Sequence, residues 1–259
     1  MGKNIIYCYS GTGNCLDIAK NIAAELGNTD IVMMRSAPEL TDARGYERVG
    51  FVFPCYAGGL PAGVEDSVQS VRMDFDCYRF GVVSCAAYPG TGMHRIDKLV
   101  HLHYRATVTH QCSCIWLFPH DMMLPPMKAP QAQARSEKKA KLIGQDVKAK
   151  RATGHPPLHP LNAAESAAWP LMSRLKAKKL AVSDICVGCG QCSRLCPKGN
   201  IRMVNGRPVF GDDCLQCLSC LQYCPYAAIS VGKITDRREH YHNPNITAEE
   251  LMQKLIHID

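Results

Sequence analysis

Eight cysteines in two copies of one spacing constrain the carboxyl-terminal part of this chain more tightly than any other feature. Cys186, Cys189, Cys192 and Cys196 are followed by Pro197, and Cys214, Cys217, Cys220 and Cys224 by Pro225. Each run reads C-x2-C-x2-C-x3-C-P, a spacing whose first three thiolates wrap a cubane iron–sulfur cluster. By its fourth cysteine the loop has turned away, and that thiolate reaches across to the other cluster. The spacing therefore predicts one 4Fe-4S cluster on Cys186, Cys189, Cys192 and Cys224, and a second on Cys196, Cys214, Cys217 and Cys220. Zinc also takes paired cysteines. It needs two spaced pairs, and requires neither a third cysteine three residues on nor a proline after the fourth.

These residues resemble the bacterial two-cluster ferredoxins over roughly residues 180 to 232. Between the two cysteine runs, Ile201 and Met203 lie on one side of Asn205-Gly206, and Val209 and Phe210 on the other. That pattern predicts a hairpin, with Asn-Gly supplying the positive φ angles of a tight turn. A further short strand is expected from Ala228 to Val231. About fifty residues bury too little apolar surface to be stable alone, so the clusters must supply much of the folding energy.

With 259 residues, the chain has room for a larger domain before this one. Its fifteen cysteines would suggest disulfides in a secreted protein, but eight are assigned to clusters. It begins MGKNIIYCYS, without a charged-then-apolar leader, and no apolar run reaches the length of a membrane span. The expectation is a cytosolic, cytoplasmic protein of an oxygen-poor cell, with the other seven cysteines as free thiols.

Residues 1–152 alternate short apolar runs with helical patterns. Buried strands are expected at Asn4–Tyr9, Ile31–Met34, Val49–Phe53, Phe80–Ser84 and Cys114–Phe118. Leu16, Ala19, Ile22, Ala23 and Leu26 recur at helical spacing, and helices are also expected at Val64–Val71, His94–His103 and Arg135–Val147. This rhythm predicts an α/β fold with a five-stranded, doubly wound parallel sheet.

The first strand-to-helix turn is Ser10-Gly11-Thr12-Gly13-Asn14-Cys15. Its glycines bring backbone amides close to a phosphate, its hydroxyls add donors, and the helix N-terminus adds a favourable dipole. A dinucleotide fingerprint would need Gly or Ala where Leu16 stands, and a Walker loop a Gly-Lys pair before Ser or Thr. The loop resembles the phosphate loop of flavodoxins, which hold FMN without a cationic side chain. The usual last residue there is threonine, and Cys15 departs from it with the loss of one hydroxyl. Flavodoxin-like sheets bind FMN at their strand-order switch point. The resemblance implies that Tyr56, Ala57, Gly58 and Gly59 after the third strand, and Ala86, Ala87 and Tyr88 after the fourth, line the flavin ring. Tyrosines suit stacking there, and small residues suit close backbone approach.

The order of the two parts resembles a family of fused flavodoxin–ferredoxin proteins of anaerobic prokaryotes. The expected organisation is a flavodoxin-like FMN-binding domain at 1–152, an ordered bridge at 153–179, the two-cluster domain at 180–232 and a polar tail at 233–259. The bridge contains His155-Pro156-Pro157 and a helical pattern that Pro170 would kink. The tail carries a possible helix from Ala248 to Ile256, primed by a Thr247 cap.

The formal charge is +7. Two thiolate-bound cubanes at roughly −2 apiece and an FMN phosphate of about −2 would bring the loaded protein near neutrality. Lys128 to Arg151 holds eight basic residues and is expected to be a solvated helix face or a docking face for an acidic electron carrier. It lacks the interleaved aromatics of a nucleic-acid site. No histidine spacing matches a metal site, and Cys8, Cys15, Cys55 and Cys85 read as packing residues. The leading functional reading is an electron-transfer protein that couples one- and two-electron carriers, working with other redox proteins. An FMN-dependent reductase of an organic or haem-derived substrate, with His120–Pro130 as a lid, is the second. A redox or oxygen sensor is the third.

Overall fold

The computed structural model describes residues 2–35, 39–86, 88–110, 129–155, 166–167, 180–232 and 240–259. Its main sheet is built on β1 (Asn4–Cys8), β2 (Thr29–Met33), β3 (Arg48–Pro54), β4 (Tyr78–Cys85) and β5 (Tyr104–Thr109). These run parallel in the order β2-β1-β3-β4-β5. That is the flavodoxin-like doubly wound order, and its switch point lies between β1 and β3.

Strand alternation explains the two-sided burial. Ile6 and Cys8 of β1 point to one face, where they meet Leu16, Ile18, Ala19 and Ile22 of helix α1 (Asn14–Leu26). Ile143 and Val147 of helix α4 (Ala129–Lys148) complete that layer. Ile5, Tyr7 and Tyr9 point to the other face, against Val64 and Val68 of α2 (Val64–Gln69) and Met93 and Ile96 of α3 (Gly92–Val100). A strand buried on both faces must be apolar at every position, as β1 is.

Several expectations differ from the structure. The sheet's fifth strand is Tyr104–Thr109, while the Cys114–Phe118 segment lies outside the described residues. Only Tyr104 and Val108 of β5 are buried, so its signal is the half-polar one of an outer strand. The preceding helix stops at Val100, before the expected His103, because His101 takes a left-handed φ of 49°. The sheet also has a sixth strand, β10 (Leu255–Ile258), antiparallel to β2. The expected polar tail therefore ends inside the sheet. Ile256 and Ile258 pack on the α1 layer, and the pairing covers the exposed edge of β2. The expected terminal helix runs only Ala248–Met252. It starts at a capping box in which Thr247 accepts from the Glu250 amide and the Glu250 carboxylate from the Thr247 amide.

The cysteine-rich region carries two small antiparallel pairs, β6 (Leu180–Val182) with β9 (Ile229–Val231), and β7 (Ile201–Val204) with β8 (Arg207–Phe210). The second pair is the expected hairpin, turning at Asn205 (φ 49°) and Gly206 (φ 74°). Its own core is small, with Leu221, Ile229 and Val231 at the centre. Leu195 and Tyr223 leave that core and pack with the α1 layer of the main sheet. Of the expected bridge, residues 156–165 and 168–179 lie outside the described residues. Thr153 is docked beside β5, its hydroxyl accepting from the Arg105 amide at 2.7 Å.

Candidate functional site

The cysteine loops form two quartets. Cys186, Cys189, Cys192 and Cys224 wall one cavity, and Cys196, Cys214, Cys217 and Cys220 a second. These are the crossed groupings that the spacing predicts. The two loops share one backbone path: Gly188 and Gly190 have positive φ, and so do Gln216 and Leu218 at the equivalent places. Non-glycine residues hold left-handed angles only where surroundings over-determine them. Among the described residues, no three His, Cys, Asp or Glu side chains converge as ligands of a single metal ion would. The quartets instead line two separate hollows, and four thiols apiece are the donor set that a cubane takes.

The quartets differ in environment. Cys189 of the first is exposed, and exposed Val187 and Tyr226 line the same hollow. Its Cys224 Sγ accepts one amide, from Ala228 at 3.3 Å. In the second, Cys196 Sγ accepts from the Asn200 amide at 3.3 Å, and Cys214 Sγ from both the amide and the side chain of Gln216 at 3.4 Å each. Cys217 Sγ lies 3.4 Å from the Ser219 hydroxyl. Burial, reinforced by neighbouring cysteines, pushes the Cys220 thiol well above the ordinary thiol range; burial also raises Cys192 and Cys214. Ligand binding must therefore displace protons from these groups.

The turn Ser10–Cys15 sits at the carboxyl end of β1, at the switch point. Ser10, Gly11, Gly13 and Cys15 are buried, and Thr12 and Asn14 half-buried. Among the described residues, the Ser10 hydroxyl is buried without a hydrogen-bond partner and no side chain caps α1. The Cys15 side chain belongs to the core beneath, where burial pushes its thiol far up despite a bond to Ser84, so only its amide faces the turn. Cys8 and Cys85 are buried too, and Cys55 half-buried, consistent with packing roles. Tyr56 packs edge-on to Tyr9 with centroids 6.3 Å apart, and burial pushes both phenols up, keeping them neutral. Gly58 and Gly59 are buried and Ala57 half-buried. The Gly58 carbonyl accepts from the Thr91 amide at 2.7 Å, which clips the loop after β3 to the loop after β4. Ala86 and Tyr88 are half-buried beside that clip, and Ala87 lies outside the described residues. Tyr56, the Gly58 loop and the Ser10–Cys15 turn are thus brought to one sheet end.

Several residues of this region carry no signal in a single sequence. A Cβ on Gly11 would sit 2.6 Å from both the Cys217 carbonyl and the Tyr56 hydroxyl. One on Gly13 would meet the Tyr223 hydroxyl at 2.7 Å and the Asn243 Cβ at 2.9 Å. The second cysteine loop therefore lies directly on the turn. The segment before Thr247 closes the other side, with the Asn243 amide donating to the Thr12 carbonyl at 2.8 Å and the Tyr241 hydroxyl to Asn14 Oδ1 at 2.8 Å. Arg35, at the end of β2, donates to the Ser10 carbonyl at 2.9 Å and the Ser219 hydroxyl at 3.0 Å. Its one legible sign is a lone cation following an apolar strand.

A family model described as a 4Fe-4S dicluster domain matches residues 178–225. No curated protein matches the sequence. Solved structures that the chain matches include a flavoprotein in complex with FMN from Lactobacillus acidophilus NCFM, at 12% identity over 41% of this chain and 93% of that one, TM-score 0.32. An NAD(P)H:quinone oxidoreductase from Methanothermobacter marburgensis is 9% identical over 61% of this chain and all (100%) of that one, TM-score 0.38. Rubredoxin oxygen:oxidoreductase from Desulfovibrio gigas is 13% identical over 58% of this chain and 37% of that one, TM-score 0.38. The α/β assignment rests on the strand order rather than on these likenesses. Among the described residues, no helix is long and apolar enough to cross a membrane.

Proposed function

We propose that this chain is an electron-transfer iron–sulfur flavoprotein, with two 4Fe-4S clusters in its cysteine-rich region and FMN on its α/β sheet. Clusters exchange single electrons and a flavin takes one or two, so the pair couples one- and two-electron carriers. The observation that carries this reading is the contact at Gly11, where the candidate phosphate loop touches the backbone of Cys217. A domain that merely neighboured the sheet would have no reason to seat a cysteine loop there.

The residues suit the groups assigned to them. Cys186, Cys189, Cys192 and Cys224 would hold one cluster, and Cys196, Cys214, Cys217 and Cys220 the other. The partnerless Ser10 hydroxyl and the uncapped start of α1 offer donors to a phosphate, with Thr12 and the amides of Gly11, Gly13, Asn14 and Cys15 beside them. Tyr56 and Tyr88, with the small residues Ala57, Gly58, Gly59, Ala86 and Ala87, would flank the ring. Cys189, in the quartet with less covering, is the natural approach for an external redox protein. Exposed Lys138, Lys139 and Lys141 on α4 offer a basic face to an acidic one.

Stopped-flow reduction of the anaerobic holoprotein with a low-potential donor tests this reading. Flavin reduction should proceed at a rate independent of protein concentration and collapse in a Cys186→Ala, Cys189→Ala variant that retains FMN. A rate proportional to protein concentration would mean that electrons pass between chains, and would favour a sensor.

A further inference from the structure

Arg35 is 7% exposed, yet among the described residues no carboxylate pairs with it. Its guanidinium is spent on neutral acceptors: the Ser10 carbonyl, the Ser219 hydroxyl and the Leu195 carbonyl. Among the described residues, its Nε is buried without a partner. A buried cation without a counter-charge is strongly disfavoured, so a site that keeps one normally holds an anion close by.

The acceptors indicate where that anion belongs. Leu195 immediately precedes Cys196. The Ser219 hydroxyl, 3.0 Å from Arg35, lies 3.4 Å from Cys217 Sγ. Arg35 thus backs onto two cysteines of the second quartet, from the side of the sheet. Among the described residues the first quartet has no comparable buried cation: Arg194, Arg202 and Arg207 are all exposed, and Arg207 is bonded to the Ser183 carbonyl and Asp184.

Resting on the functional reading above, we propose that Arg35 is the counter-cation of the quartet Cys196, Cys214, Cys217 and Cys220, and sets the reduction potential of the cluster held there. Adding an electron to a buried anionic cluster is opposed by burial and favoured by nearby positive charge and by donors to its sulfurs. The second quartet has both aids, a buried guanidinium and the donors from Asn200 and Gln216. Ser219 carries one proton, which it gives to the Gly11 carbonyl at 2.7 Å or toward Cys217 Sγ at 3.4 Å, while it accepts from Arg35. Arg35 therefore orients the hydroxyl that joins this cysteine loop to the turn at the switch point. An electron accepted by a cluster in this quartet would then lie on the side of the molecule that touches the sheet.

Redox titration of the holoprotein, followed by electron paramagnetic resonance, tests the proposal. The two cluster signals are told apart with a Cys189→Ser variant, which perturbs the first quartet alone. Arg35→Gln keeps hydrogen-bond donors and removes the charge. It should shift the potential of the second cluster downward and leave the first unchanged, whereas Arg35→Lys, which keeps the charge, should lie close to wild type. If Arg35→Gln does not retain both clusters, Arg35→Met, which also removes the charge, is read in the same way and should lower the same potential. Unmoved potentials, an equal shift of both clusters, or a shift confined to the first would overturn the role of Arg35. Wild-type protein without iron and sulfide would instead overturn the functional reading, and this inference with it.

Discussion

The Ser219 hydroxyl donates to the Gly11 carbonyl at 2.7 Å, joining groups 208 residues apart. Ser219 opens the short helix that carries Cys220, and Gly11 belongs to the turn after β1. The contact ties the covalent spacing of the cysteines to the strand order of the sheet.

The two cubane quartets and one flavin site proposed here predict about eight iron, eight sulfide and one FMN per chain. Anaerobic purification with quantified iron, sulfide and acid-released flavin measures this. Zinc alone in a reconstituted preparation would refute the clusters. Chelating the iron should unfold residues 180–232, whose own core is three fully buried side chains, while β1, β3 and β4 keep their protection from hydrogen exchange.

The proposed crossed ligation gives Cys196→Ala a specific consequence. The variant should lose or convert the cluster built on Cys214, Cys217 and Cys220, and retain the one built on Cys186, Cys189 and Cys192. Resonance spectra of the reduced variant distinguish the two cases, and loss of the sequence-adjacent cluster would establish uncrossed ligation.

Gly11→Ala should separate the two parts. The new methyl carbon would meet the Cys217 carbonyl and the Tyr56 hydroxyl at 2.6 Å each, inside any normal contact. Overpacking of this kind costs about 1–3 kcal/mol. Denaturant unfolding should register that loss together with a lower FMN content. Wild-type stability with full flavin would mean that the cysteine loop does not rest on the turn.

The β10 edge should depend on pH. His257 sits directly across from Asp30 in the β10–β2 register, its Nδ1 2.7 Å from Asp30 Oδ1. That bond raises the His257 pKa, helped by the Asp30 and Asp259 charges. Burial pushes Asp30 up, but bonds from Tyr46, Lys3 and His257 outweigh it and hold the carboxyl below its usual value. The histidine contribution is complete below its unfolded pKa of about 6.5 and lost as pH rises through the higher folded value. The Asp30 contribution is complete above its unfolded pKa of about 3.9 and lost as pH falls through the lower folded value. Amide exchange of Leu255–Ile258, corrected for intrinsic rates, should be slowest between these limits and accelerate above neutrality. His257→Ala should abolish the rise on the alkaline side.

Much of the molecule was legible from residues alone because the signals are local. Cysteine spacing specifies which thiolates one short loop can bring together. Apolar runs such as Asn4–Cys8 mark strands buried on both faces, and Asn205-Gly206 marks a turn through its positive φ. β5 was not legible, since Tyr104 and Val108 alone give an outer strand too weak an alternation. β10 was equally hidden, because four residues ending a polar stretch become a strand only when the edge of β2 is there to pair with.

The sequence by itself determined two cysteine quartets, an alternating α/β half and a glycine turn that opens its first helix, each from contacts within a few residues. Only the tertiary structure decided that the second cysteine loop rests on that turn, that Tyr241 and Asn243 close its other side, and that Arg35 lies buried between them. Those relations join groups far apart in the chain, and burial selects them: Leu195 and Tyr223 enter the core beside α1, and their entry sets which backbone meets Gly11.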